Sequence, residues 1–88
     1  MVEQPRWDVI IAPEAIKRLM KIPNPDRRRL LGGIGALQSG TSGDIKPLKG
    51  REEWRLRVGS WRIIMQIDDK SKIIDILFLG PRGDVYKN

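Results

Sequence analysis

The 88-residue chain contains no cysteine and no histidine. Without cysteine there is no disulfide framework, no thiolate nucleophile and no zinc finger. Without histidine the commonest general base and the commonest metal ligand are gone. Serine-hydrolase triads and paired-histidine nuclease chemistry are thereby excluded. Aromatic residues are few: three Trp, one Tyr and one Phe. Long hydrophobic runs are missing too. No stretch approaches the 18 apolar residues of a membrane span, and residues 1–6 carry no apolar run of signal-peptide length. The expectation is a soluble, cytoplasmic protein with no membrane association, no metal and no cofactor.

What the chain has in quantity is positive charge. Seventeen Lys and Arg face eleven Asp and Glu, a formal charge of +6. A small basic domain suggests an anionic partner, with nucleic acid leading; the plainer reading is charge that serves solubility. The length predicts one domain over residues 1–88, burying roughly 60–65% of the surface its unfolded chain exposes.

Residues 6–11 alternate Trp7, Val9 and Ile11 against Arg6, Asp8 and Ile10, which reads as a strand. Ala12-Pro13-Glu14 opens a helix with Pro and an acid in the first turn. Its expected apolar stripe is Ile16, Leu19 and Met20, with Lys17, Arg18 and Lys21 on the wet side. Pro23-Asn24-Pro25 ends it and starts a second helix, striped by Leu30, Ile34 and Leu37. Gly32, Gly33 and Gly35 each weaken that helix by about 1 kcal/mol relative to Ala. Either packing compensates, or the glycines let the two helices approach closely. Ser39-Gly40-Thr41-Ser42-Gly43 reads as a loop, and everything after it as β.

Trp54, Leu56 and Val58 alternate with Arg55 and Arg57. After Gly59-Ser60, Trp61, Ile63, Met65 and Ile67 alternate with Arg62, Ile64 and Gln66. Two residues beginning with Gly predict a tight type II′ hairpin. The register follows: Val58 faces Trp61, Arg57 faces Arg62, Leu56 faces Ile63, and Arg55 faces Ile64. A third strand is expected at about 73–79. The fold class is α+β, in the order β-α-α-β-β-β: an antiparallel sheet with two N-terminal helices on one face and the arginines on the other.

Arg57 opposite Arg62 is the strongest chemical clue, because like charges paired across strands destabilise a sheet. The arrangement suits an anion, or a carboxylate from elsewhere in the chain, held among guanidinium groups, which match phosphate with paired donors. The competing readings are arginines that splay apart in solvent, or neutralisation by Glu52 and Glu53. Lys46, Lys49 and Arg51 extend the positive field and are expected RNA contacts, with ordinary surface as the plainer reading of each. Arg27-Arg28-Arg29 reads as a solvated helix face or as backbone contacts to RNA. Trp7, Trp54 and Trp61 fall on the core pattern. Asp68-Asp69 suits a turn, and neither acidic pair has metal-ligand spacing.

Three segments carry a resemblance: Pro47-Leu48-Lys49-Gly50, the run from Trp54 through Arg55, Arg57, Gly59-Ser60-Trp61 and Arg62 to Ile64, and Gly80-Pro81-Arg82-Gly83-Asp84-Val85-Tyr86-Lys87. Together they resemble the RelE branch of the RelE/ParE toxin superfamily. The resemblance implies the toxin of a type II toxin–antitoxin pair. Such toxins are metal-independent endoribonucleases that enter the ribosomal A site and cut mRNA there, using the ribose 2′-OH as nucleophile. It implies a RelB-like antitoxin, the ribosome and mRNA as partners. Carried over by position, the site residues are Arg55, Arg57, Arg62, Arg82 and Tyr86, with Lys49 as the basic residue of the loop motif. Arg55 and Arg57 stand where well-known members carry lysine, and an arginine does not give up its proton. They are therefore charge stabilisers rather than bases. Tyr86 has two candidate roles, stacking beside the cut or acting as base; Arg82 is placed near the leaving oxygen. Two alternatives stand beside this reading: a ParE-like inhibitor of DNA gyrase, and an RNA-binding module that does not cut.

Overall fold

In the computed structural model, residues 6–40 and 44–81 are described. Five strands form one sheet in the order β1-β5-β4-β3-β2: β1 Asp8–Ile11, β2 Ile45–Pro47, β3 Trp54–Val58, β4 Trp61–Asp68 and β5 Ile73–Pro81. The helices are α1, Pro13–Met20, and α2, Asp26–Ala36, the latter running into a short 3-10 turn at Leu37–Ser39. This is the expected α+β order with one strand more.

The hairpin register is the one the alternation predicts, from Val58↔Trp61 to Arg55↔Ile64. Gly59 takes φ +60 while Ser60 does not share the positive φ, as a II′ turn requires. Two features go beyond the sequence reading. Ile45–Pro47 pairs antiparallel with β3 as an edge strand, a position that tolerates Pro47 because one side of the backbone needs no partner. β1 pairs parallel with β5, Asp8↔Ile73 to Ile11↔Ile76, so the sheet is mixed rather than antiparallel throughout. Parallel neighbours need a long crossover. Here it comprises both helices and the three intervening strands.

One face of the sheet builds the core. Leu56, Ile63, Met65, Ile74, Ile76 and Leu79 pack under Ala15, Leu19, Ile22, Leu30, Ile34 and Leu37, with Trp7 buried beside them. A register shift at Ile64/Met65 inserts one extra residue into β5. This bulge turns Leu77 outward and returns Leu79 to the core. Trp54 and Trp61 are half-buried against the core, and the Trp61 indole N–H donates to Asp26 at the start of α2, 3.0 Å.

The helices depart from expectation in two respects. α1 buries Ala15 and Leu19, leaving Ile16 44% and Met20 62% exposed. Both residue sets have helical spacing; the small Ala15 at 2% exposure is the side that allows close approach. In α2, Gly33 admits the hairpin rather than the other helix: a Cβ there would stand 3.0 Å from Val58 Cγ2, whereas Gly32 and Gly35 have nothing within 4 Å.

Candidate functional site

The register decides which cations share a surface. Across the sheet, Lys46 pairs with Arg55, Arg55 with Ile64, and Ile64 with Phe78. In the adjacent row, Arg57 pairs with Arg62 and Arg62 with Gly80. Paired residues lie on one side of a sheet, so Lys46, Arg55, Arg57 and Arg62 occupy the face away from the helices. At its other end this face turns acidic: Gln66 pairs with Asp75 and Asp68 with Ile73, and a shallow depression there is lined by Glu52, Gln66, Asp68 and Asp75. A polyanion is thus drawn to one end and repelled from the other.

The three hairpin arginines share this face but not an environment. Arg57 is exposed, and its Nε donates to the Asp44 carboxylate. Arg55 is half-buried. Arg62, expected on the open surface, is only 5% exposed. Its guanidinium folds back along the hairpin, where Nη1 donates to the carbonyls of Gly59, 2.9 Å, and Trp61, 2.8 Å. Its buried Nε has no hydrogen-bond partner. Ile64 is 6% exposed although it lies outside the core cluster, so the middle of this face is covered rather than bare.

The repulsion expected between Arg57 and Arg62 is therefore relieved internally. Arg57 turns to a carboxylate and Arg62 to two carbonyls. The carboxylate is Asp44, whose backbone carbonyl also accepts from the Arg57 N–H, 3.2 Å, extending the β2–β3 pairing. Glu53 is engaged by Arg51 Nε, 2.8 Å. Lys49 and Arg51 lie in the turn between β2 and β3, closed by Leu48 N–H to Glu53 O, 2.9 Å, and Arg51 N–H to Leu48 O, 3.1 Å. Arg82 and Tyr86 lie outside the described residues.

Two residues at this site were not legible in the sequence as such. Phe78 faces the arginines because the bulge in β5 changes the alternation before it. Arg18, a wet-side residue of α1 by periodicity, lies over the Phe78 ring with its guanidinium carbon 4.9 Å from the centroid. Arg18 Nη2 would be 3.4 Å from a Cβ placed on Gly80, the register partner of Arg62. Among the described residues no group of three or more carboxylates is arranged to hold a metal ion, and no helix is long and apolar enough to cross a membrane.

Comparison with known proteins places this architecture. No curated protein sequence matches the chain. A chain of the archaeal RelE–RelB complex from Pyrococcus horikoshii OT3 is similar at 30% identity, over 89% of this chain and 97% of that one, with a TM-score of 0.76. The RelB–RelE antitoxin–toxin complex of Methanococcus jannaschii contains a chain similar at 26% identity, over 88% and 94%, TM-score 0.69. The RelBE2 toxin–antitoxin complex of Mycobacterium tuberculosis shares the fold at 24% identity, over 88% and 99%, TM-score 0.77. The family model described as the ParE toxin of the type II toxin–antitoxin system parDE matches residues 9–86. That match over residues 9–86, together with the fold shared with the archaeal RelE chain, makes the chain a member of the ParE toxin family, within the RelE/ParE superfamily.

Proposed function

We propose that this protein is a ribosome-dependent mRNA endoribonuclease, the toxin of a type II toxin–antitoxin pair that inhibits translation by cutting mRNA in the ribosomal A site. The observation that carries the reading is the pair of cationic rows, Lys46–Arg55 and Arg57–Arg62, on one sheet face. Cleavage proceeds by attack of the ribose 2′-oxygen on the adjacent phosphorus with departure of the 5′-oxygen. Charge accumulates on the phosphoryl oxygens, and guanidinium groups fixed on strands stabilise it. Arg57 keeps its Nη groups for phosphate while Asp44 orients the side chain through Nε. Arg55 stands two residues along the same strand. Arg62 serves as a buried support from beneath; Arg82 and Tyr86 keep the leaving-group and stacking or base roles that the resemblance implies. No histidine moves the proton, so the reaction depends on alignment. The ribosome, by holding the mRNA, supplies part of the roughly 7–11 kcal/mol that orientation offers.

A RelB-like antitoxin is the proposed partner. The similar chains described as parts of RelE–RelB complexes support it, as do the exposed apolar side chains Ile16 and Met20, one helical turn apart on α1. A second reading, ParE-type action on DNA gyrase, is favoured by the family description.

Primer extension on an mRNA in a purified translation system separates the two. The expected result is breaks within A-site codons only when ribosomes are present, and about 10²-fold slower cleavage by Arg57→Ala. Arg57 is suited to this test because its ion pair is exposed and contributes little to folding. Intact mRNA together with inhibited supercoiling moves the assignment to gyrase.

A further inference from the structure

β1 pairs with β5 only as far as Ile76. Ala12 N–H donates to the Ile76 carbonyl, 2.8 Å, and the chain then turns into α1, which packs against β5. Between α1 and the end of β5 lies a groove of about 600 Å³, lined by Lys17, Arg18, Lys21, Trp61, Phe78 and Pro81. This volume falls within the range of small-ligand sites. Its walls combine three cations with two aromatic rings.

The groove continues the arginine face. Gly80 is buried and has no side chain. A Cβ there would meet Phe78 at 3.1 and 3.2 Å and the Arg18 guanidinium at 3.4 Å. The missing Cβ is therefore the space in which Phe78 and Arg18 come over β5. Arg57 on β3, Arg62 on β4 and Arg18 above Gly80 on β5 then form a line across three neighbouring strands, about 10 Å from first to last strand.

We propose that this groove is a second RNA subsite, which binds a single-stranded nucleotide flanking the one whose phosphate lies on the hairpin arginines. Arg18, with Lys17 and Lys21, contacts the phosphate; Trp61, Phe78 and Pro81 form the wall for the base. The proposal rests on the ribonuclease reading for its register with the cut. Aromatic walls beside cations are the usual means of holding single strands without reading sequence. The Trp61 indole N–H is committed to Asp26, so Trp61 offers the groove an apolar surface. An acidic polypeptide would use the cations and leave that wall unpaired. Glu14 also lines the groove and lies 4.0 Å from Lys17; the test uses Arg18 for its place over Phe78 and Gly80 and Lys21 for its exposure on the same wall.

The test is fluorescence anisotropy of a labelled single-stranded 2′-O-methyl RNA, which cannot be cleaved by its own ribose, titrated with the full chain over a range of salt. Arg18→Gln and Lys21→Gln are each compared with wild type and with Lys70→Gln, a cation in the remote β4–β5 turn. Arg18→Gln is expected to weaken binding about tenfold and to reduce the slope of log K against log salt by about 0.7, the value for one lost single-strand phosphate contact. Lys70→Gln leaves both unchanged. A merely structural role for Arg18 changes the melting temperature without changing that slope. Lys21 is exposed, so Lys21→Gln reports on the groove even where Arg18→Gln fails to fold. Wild-type binding and slope in both variants overturn the proposal. So does unchanged RNA binding together with lost binding of poly-glutamate, which assigns the groove to an acidic protein. Primer extension with the same proteins keeps the two readings apart. Weakened RNA binding by Arg18→Gln in a chain that never cuts supports the subsite and removes the nuclease; cutting that Arg18→Gln leaves at the wild-type rate, with wild-type binding, removes the subsite alone.

Discussion

Arg57 and Arg62 stand opposite one another in the hairpin, yet they face different physics. Arg57 holds a carboxylate at the surface, with its side chain 50% exposed, where an ion pair is worth at most about 1 kcal/mol. Arg62 is buried, and its Nη1 is the hydrogen-bond donor for two backbone carbonyls at the turn. Its removal leaves Gly59 O and Trp61 O without that donor. Arg62→Ala is expected to cost about 1–3 kcal/mol, and Arg57→Ala less than about 1 kcal/mol; urea unfolding midpoints give both. Equal midpoints for wild type and Arg62→Ala would show that the guanidinium does not hold the turn. Lost cleavage in Arg62→Ala consequently has two causes to separate, whereas lost cleavage in Arg57→Ala has one. The alternation of Trp54 to Ile67 placed both arginines on one face. It carried no information on where each long side chain ends, because that depends on Asp44, thirteen residues away from Arg57, and on turn carbonyls exposed by the II′ geometry.

At the scale of elements, α2 illustrates how a weak helix is held. Three glycines in eleven residues cost it propensity, and no side chain caps its start. Leu30, Ile34 and Leu37 anchor it from one side, and Gly33 brings its backbone against Val58 and Leu56. The glycines therefore divide into one that packing requires and two that it does not. Gly32→Ala and Gly35→Ala, with open space around the new methyl, are each expected to raise stability by about 0.5–1 kcal/mol. Gly33→Leu is expected to lower it by about 1–3 kcal/mol, because the larger side chain must displace the hairpin. Thermal unfolding of the three variants checks the ordering, and a stabilised Gly33→Leu would sink it. The stripe of α2 was readable from spacing alone. That of α1 was readable only in part: of the expected Ile16, Leu19 and Met20 the fold buries Leu19, but it sets Ala15 beside it and leaves Ile16 and Met20 outside, because in a helix of two turns either neighbour of Leu19 fits the spacing.

For the whole molecule, the net charge of +6 matters less than its distribution. One end of the sheet face carries Lys46, Arg55, Arg57 and Arg62, and the other carries Asp68 and Asp75. RNA binding is therefore expected to fall linearly in log K against log salt, with a slope of about −0.7 for each phosphate contacted. Arg55→Gln combined with Arg57→Gln should flatten that slope, whereas Arg28→Gln, on the helical side, should leave it unchanged. Anisotropy titrations between low and physiological salt make the comparison. An equal effect of Arg28→Gln would mean that RNA meets the protein through diffuse charge rather than this face.

The sequence by itself determined both helices, every strand but β2, and the hairpin register. These follow from local rules: period-2 alternation fixes the face of each strand residue, and a Gly-led two-residue turn fixes which residues meet. It also determined that any chemistry here proceeds without histidine or thiolate. Tertiary structure alone decided the rest. The parallel pairing of β1 with β5 joins segments more than sixty residues apart, and local periodicity carries no strand direction. The short β2 needed β3 as a template. The bulge at Leu77 arose from matching β5 to β4 over a common core. The arrival of Arg18 over Phe78 depended on that bulge, on the space at Gly80 and on where α1 comes to rest, three placements set by packing between elements and not by the residues within any one of them.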